Sequence, residues 1–345
     1  MKVLVVGDIH WSTYSSILRS RGNHFSTRLE YLIKSLSWVE QVAKEHGCEE
    51  EVFLGDTFDK PDLTAEEISA LSEVEWNTSS RIKHFIVGNH ESGIASLVYN
   101  STQILHKVGV IEDTPYIYPV DEHTEFLFLP YITEDNRKPL VEYLKNRQSN
   151  KKLVVFSHND IKDFQMGMFL STTGFSIDEI EKNCDLYING HLHNGGWVSP
   201  RKILNLGNLC GQNFSEDAFK YEHHIAILDT DTLELKFIEN PYALNFYKLE
   251  MDEEANIGQL EFLKENAVVS IKCEESLKDK LEEVLNKDIK LLCSKVVYYS
   301  KEVTGTVESI SELQTVDHLE KFRQYVIDKL GKSEVVLAEL SEVCK

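Results

Sequence analysis

Five short clusters in this chain carry side chains able to hold metal ions. They are Asp8-Ile9-His10, Gly55-Asp56-Thr57-Phe58-Asp59, Gly88-Asn89-His90-Glu91, Ser157-His158 and Gly190-His191-Leu192-His193. Each contributes a carboxylate, an imidazole or an amide oxygen. Such mixed nitrogen and oxygen donors, without a thiolate, suit Mn, Fe or Zn better than Mg or Ca. The spacings Asp-x-His and His-x-His put both members of a pair on one side of an extended segment. Two donors from one rigid segment can then address two adjacent cations. Glycine beside several clusters lets backbone come close. The chemistry such a set supports is metal-assisted hydrolysis.

These clusters must be positioned, and the flanking sequence predicts how. Val3–Gly7, Glu51–Leu54, His84–Val87, Leu153–Ser157 and Leu186–Asn189 read as short strands, and a cluster follows each one. Carboxyl ends of strands in an α/β sheet are where ligand sites form. Helical spacing predicts helices over 24–46 and 136–147. Thr64-x-x-Glu67 and Ser176-x-x-Glu179 are capping boxes that open helices, the first running through Leu71 and Val74. Glu125–Leu129, Ile203–Leu206, His223–Leu228 and Leu233–Glu239 complete a strand-rich stretch, antiparallel toward its end. The alternation predicts an α/β layered domain over 1–250.

After the polar stretch 251–256 the pattern changes. A strand (Val268–Ile271), a helix (Ser276–Leu285) and two strands (Ile289–Leu292, Lys295–Tyr299) predict a small α/β unit over 251–303. A helical segment is predicted over 304–345, with Leu313, Leu319, Phe322, Val326 and Leu330 on one face. That face ordinarily reads as core.

The net charge is −21, from 36 basic and 57 acidic residues. From residue 251 onward 13 basic and 20 acidic residues give −7, so the first 250 residues carry −14. Spread acidity argues against a general nucleic-acid binder, because phosphate contacts need clustered Lys and Arg. It leaves DNA open as a substrate where bound cations or a basic partner invert the local potential. Six cysteines form no CxxC pair, so neither a disulfide framework nor a structural zinc site is expected. The apolar run at the N-terminus is too short for a signal peptide, and no stretch approaches a membrane span. A soluble protein of a reducing, cytoplasmic compartment is expected, with no membrane partner.

The ordered set DxH, GDxxD, GNH(E/D), H and GHxH resembles the calcineurin-like metallophosphoesterases over about residues 1–240. The resemblance implies a layered β-sandwich core and two divalent metal ions. Asp8, His10 and His193 would hold one, Asn89, His158 and His191 the other, with Asp56 bridging. His90 would act on the leaving group rather than bind metal, and Asp59 would buttress a ligand or His90.

Three finer features resemble the SbcD-type DNA-repair nucleases, which include phage recombination endonuclease subunits. They are Gly55–Asp59 with the following Lys60-Pro61-Asp62, Leu129-Pro130-Tyr131, and Ile203–Gly207 with Asn213-Phe214-Ser215-Glu216. Asn208 and Leu209 depart from that family's Ser-Pro, and Glu91 from its commoner Asp. This resemblance implies a Mn²⁺-dependent DNA exonuclease and endonuclease in recombination or repair. It also implies a homodimer, through helices near 66–76 and 93–106, joined to an SbcC-type coiled-coil ATPase on which the apolar face of 304–345 would dock. The rival readings are a phosphatase or small-molecule phosphodiesterase with the same metals, and a non-catalytic scaffold.

The seven donor groups could instead be satisfied core polar groups, but their recurrence at strand ends argues against that. His24, His46, His84, His106, His123, His223, His224 and His318 read as surface or packing residues. Which residues contact DNA is unknown from sequence. Arg19, Arg21 and Asn23 are candidates, weighed against ordinary solvated loop charges.

Overall fold

The computed structural model describes residues 1–14, 25–76, 81–92, 99–166, 169–285 and 291–300. The chain divides into two compact units, Met1–Ser300 and Lys301–Lys345. The second unit, with the helices and partner surface expected over 304–345, lies outside the described residues. So do Arg19, Arg21, Asn23 and the first part of the 93–106 segment.

β1 (Lys2–Val6) is apolar on both faces because both faces are covered. Val3 and Val5 point into one core, Leu4 and Val6 into another. Beside it run β2 (Glu50–Phe53), β3 (Ile82–Ile86) and β4 (Val110–Glu112), all parallel. His224–Asp229 and Leu235–Glu239 extend the sheet antiparallel on the other side. A second six-stranded sheet holds β5 (Tyr116–Pro119), β6 (Thr124–Leu129) and β7 (Lys152–Ser157), then Leu186–Asn189, Ile203–Asn205 and Gly196–Ser199. Its inner strands are parallel and its two edge pairs antiparallel. Phe126, Phe128, Val154, Phe156 and Ile188 meet Val3, Val5, Val52 and Leu228 between the sheets. The architecture is therefore an α/β sandwich of two sheets with helices outside.

α1 (Thr27–His46) begins where Ser26 accepts from the Leu29 amide and ends at Gly47 in the left-handed region. Leu29, Leu32, Leu36, Val39 and Ala43 form the buried stripe it lays on the first sheet. α2 (Ala65–Leu71) carries the capping box of Thr64 and Glu67. It stops at Leu71 rather than running on to Val74. On the second sheet's outer side lie helices Glu134–Lys145 and Ile177–Asn183, the latter opened by the Ser176/Glu179 box. Behind β2 and β3 a buried charge cluster joins the sheet to α1. Lys83 Nζ lies 2.6 Å from Glu40 and 2.8 Å from Glu51, and Arg81 pairs with both carboxylates.

Asn245–Met251, Ala267–Glu274 and Leu291–Tyr299 form a separate all-parallel sheet. Parallel neighbours need crossovers, here residues 254–262 and a path that includes helix Lys278–Leu285. Leu291–Tyr299 is one strand where the sequence predicted two. Phe246 and Val268 insert into the core beneath α1, fastening this sheet to the sandwich.

Candidate metal centre

The five clusters converge at one edge of the sandwich, beyond the carboxyl ends of β1, β2, β3, β7 and Leu186–Asn189. Reaching it demands unusual backbone. His10, Asp56 and His191 all adopt positive φ, at 49°, 44° and 70°. A non-glycine residue there costs on the order of 1–2 kcal/mol, so surrounding structure must impose it. Part of that constraint is visible: the amides of Ile9 and His10 both donate to the Asp56 carbonyl, and the Leu209 amide donates to the Asp8 carbonyl. Two glycines are sterically required. A Cβ at Gly88 would lie 2.1 Å from Asp56 Oδ1, and one at Gly190 would lie 2.5 Å from Asp8 Oδ1.

Donor atoms gather in three groups. Asp8, His10 and His193 form one and Asp56, His158 and His191 another; His10, Asp56 and His90 form the one that joins these two. Asp56 Oδ2 lies 3.1 Å from His158 Nε2 and 3.8 Å from His10 Nε2, so it belongs to both neighbourhoods. Asn89 Oδ1 is 3.0 Å from His158 Nε2 and 2.9 Å from His191 Nδ1. His90 stands beside His10 and Asp56, ring centroid 4.9 Å from that of His10, and its side chain is 44% exposed.

The chemistry of this donor set fits cations. Asp8 Oδ2 and His10 Nε2 are buried with no hydrogen-bond partner among the described residues. His158 Nδ1 donates to the Leu54 carbonyl, so Nε2 of the neutral ring offers a lone pair toward two oxygens and toward His191 Nδ1 at 3.3 Å. Acceptors packed this closely repel unless a positive charge lies among them. Burial alone would lower the basicity of His158, but Asp56 and Asp8 overcome it and raise the pKa to about 9. Burial alone would likewise raise Asp56; His158 and His10 instead hold it well below the usual carboxylate range. A metal ion can take the place of that proton.

A second layer of residues orients the donors. Asp59 Oδ1 meets His10 Nδ1 at 3.0 Å and accepts from Gln212 Nε2 at 2.9 Å. Glu216, 2% exposed, meets His193 Nδ1 at 2.8 Å and accepts from the Gln212 amide at 2.8 Å. His10, Asp59, Gln212, Glu216 and His193 therefore form one continuous chain. Burial would raise the Glu216 carboxyl, but His193 holds it below its ordinary value. Asp160 Oδ1 meets His191 Nε2 at 3.1 Å. Glu91 accepts from the amides of Phe58 and Gly88, tying the second cluster to the third; burial and Asp56 push it up to about 7. Arg28, fully buried on α1, donates to the carbonyls of Ile9, His10 and Gly211.

Sequence reasoning gave no role to Asp160, Gln212 or Arg28, and marked Glu216 only as part of the segment that resembles the nuclease family. His158-x-Asp160 has the same-side spacing of the other pairs and was legible in principle. Glu216 and Gln212 are brought in by a loop whose path no local pattern specifies. Among the other histidines, His84 is a buried packing residue, its ring 4.2 Å from that of Phe128 and its Nδ1 2.8 Å from Glu112. His223 is buried and contacts the Asn208 carbonyl. No helix among the described residues is long and apolar enough to cross a membrane.

Solved structures with a similar course of chain include an archaeal phosphodiesterase, at 12% identity and TM-score 0.35, covering 69% of this chain and 99% of that one. A dimetal phosphatase from Danio rerio matches at 12% identity and TM-score 0.43, covering 69% and 98%. A purple acid phosphatase from yellow lupin matches at 14% identity and TM-score 0.39, covering 59% and 40%. Likeness of that degree transfers no substrate. A search of curated proteins gave no match. The sequence pattern of the calcineurin-like phosphoesterases matches residues 1–195, more than half of the chain and the span that supplies every donor described above. With its ordered motifs gathered at one edge of a two-sheet sandwich, the chain belongs to the calcineurin-like phosphoesterase family.

Proposed function

We propose that this phosphoesterase is a two-metal phosphodiesterase acting on DNA, a nuclease of the SbcD type. The observation that carries the reading is the convergence of seven donors with His90 exposed at their rim. Asp8, His10 and His193 would hold one ion, Asn89, His158 and His191 the other, and Asp56 both. Bound there, the cations would polarise the phosphoester and lower the pKa of a water; Mn²⁺ is the proposed metal. His90 Nδ1 contacts the Asp59 carbonyl at 3.1 Å, which can only accept, so Nδ1 carries hydrogen and Nε2 is the exchangeable position. From there the protonated ring can donate to the leaving oxygen. Asp59 fixes the His10 ring and, through its carbonyl, the His90 ring.

All three features that resemble the nuclease family lie at the metal cluster, the first of them supplying Asp56 and Asp59. The Tyr131 ring is 5.8 Å from that of His191, and Glu216 holds His193. Basic surface for DNA would come from an SbcC-type ATPase partner, and the working form would be a homodimer. A net charge of −21 favours the second reading, a phosphatase or small-molecule phosphodiesterase.

The test is hydrolysis of single- and double-stranded DNA with Mn²⁺, wild type against His90→Ala, beside a small chromogenic phosphodiester. Cleavage of DNA that falls about 10²–10⁴-fold in the variant supports the nuclease and the proton-donor role together. Turnover of the small ester with DNA left intact, even with the ATPase added, selects the second reading.

A further inference from the structure

Beside the metal cluster lies a groove of about 680 Å³ that the chemistry above does not use. Both of its walls continue from the group that holds His193. One wall begins at Gly195 and reaches Trp197; the other begins at Ala218, two residues after Glu216, and includes Phe219. Consecutive Cα atoms are at most about 3.8 Å apart, so Gly195 lies within about 8 Å of His193 and Trp197 within about 15 Å, Cα to Cα.

Sheet register puts the groove at the site's end of the sandwich. Asn189, which precedes the GHxH turn, pairs with Asn205, and Asn205 pairs with Gly196. On the other sheet Val5 near the end of β1 pairs with Ala226, and Ala226 with Phe237. Gly196 and Phe237 both line the groove.

Its surface is aromatic and nearly neutral. Trp197 (40% exposed), Phe219 (48%), Phe237 (40%) and Phe262 (76%) present ring surface to solvent. Phe219 is seated on Tyr247 at 4.7 Å, and Phe237 on His224 at 4.9 Å. The Lys264 ammonium is taken up by Glu239 at 2.5 Å and Glu222 at 3.3 Å, and the exposed Lys220, also in the lining, pairs with Asp217 at 3.2 Å. A rim so neutralised does not read phosphate. Ring faces beside a phosphoester-cleaving centre suit planar, uncharged groups carried on the same substrate.

We propose that this groove binds unstacked bases of a single-stranded nucleic acid whose scissile phosphate lies at the metal centre. The proposal rests on the nuclease reading and names its substrate form. A duplex keeps its bases paired, whereas a single strand offers π-faces to successive rings. The protein then holds an anionic polymer mainly through its bases, which answers how so acidic a chain could take such a substrate.

The test is equilibrium binding of a fluorescent single-stranded oligonucleotide to the full chain, with His90→Ala present throughout to suppress cleavage. An abasic strand of equal length is the control. Adding Trp197→Ala or Phe262→Ala should weaken the base-bearing strand about tenfold and leave the abasic strand where it was. Both side chains are part-exposed, and melting curves check folding. Equal weakening of both strands, or of neither, overturns the groove assignment while the nuclease reading stands. No binding of either strand, even with the ATPase added, by protein whose wild-type form hydrolyses a small phosphodiester removes the nuclease reading and the groove with it. A dimer in sedimentation that Trp197→Ala dissociates would instead assign the groove to a second copy of the chain and overturn the proposal.

Discussion

Glu216→Gln isolates one half of the proposed metal centre. The Glu216 carboxylate accepts two hydrogen bonds, from His193 Nδ1 and from the Gln212 amide, while almost fully buried. Glutamine keeps the shape but has one acceptor oxygen. Its amino group must then face one of two N–H donors, leaving that donor unmet. An unmet buried donor costs about 1–3 kcal/mol. Outer partners of ligating histidines are worth about 10–100-fold in metal affinity, or about 1.4–2.7 kcal/mol, so the two estimates agree. The effect should be confined to the ion held by Asp8, His10 and His193, because His158 and His191 have separate supports in Leu54 and Asp160. Calorimetric titration with Mn²⁺ should therefore show one site weakened by about 10–100-fold and the other unchanged. Equal weakening of both sites, or no change in either, would refute the separation of supports.

Other consequences are more local. Gly88→Ala places a methyl against Asp56 Oδ1 and its backbone nitrogen, and should lower stability by about 1–3 kcal/mol together with metal stoichiometry; unchanged metal content would show that the loop can step aside. Lys83→Met leaves Glu40 and Glu51 buried against Arg81 alone and should cost about 3–5 kcal/mol in urea unfolding. A loss below 1 kcal/mol would mean the carboxylates take up protons or water instead. Burial alone would lower the His84 pKa, but Glu112 and Glu50 raise it above its ordinary 6.5. A raised pKa means stability that is complete below pH 6.5 and lost as pH climbs through the folded value. The gap in Tm between wild type and His84→Gln should be widest below pH 6.5 and narrow above it; a gap independent of pH would contradict this.

The sequence by itself determined the donor chemistry and the strands that deliver it. Asp8, Asp56, Asn89, His158 and His191 each follow an apolar run short enough to be only a buried strand, and that pattern is local. Both capping boxes were legible for the same reason, since their partners lie three residues apart. Strands with weak apolar signal were not, among them Val110–Glu112, Tyr116–Pro119 and Gly196–Ser199, which lie at or near sheet edges and are partly exposed. Asn245–Met251 carries the chain across the composition change at residue 250, where charged residues alternate with buried ones.

Only the tertiary structure decided which residues stand behind the donors. Glu216 and Gln212 meet side chains far away in sequence, and Arg28 donates to backbone carbonyls that any residue could supply. The left-handed backbone of His10, Asp56 and His191 is likewise invisible in residue type, because packing rather than preference imposes it. Local patterns encode the donors; long-range contacts decide how rigidly they are held.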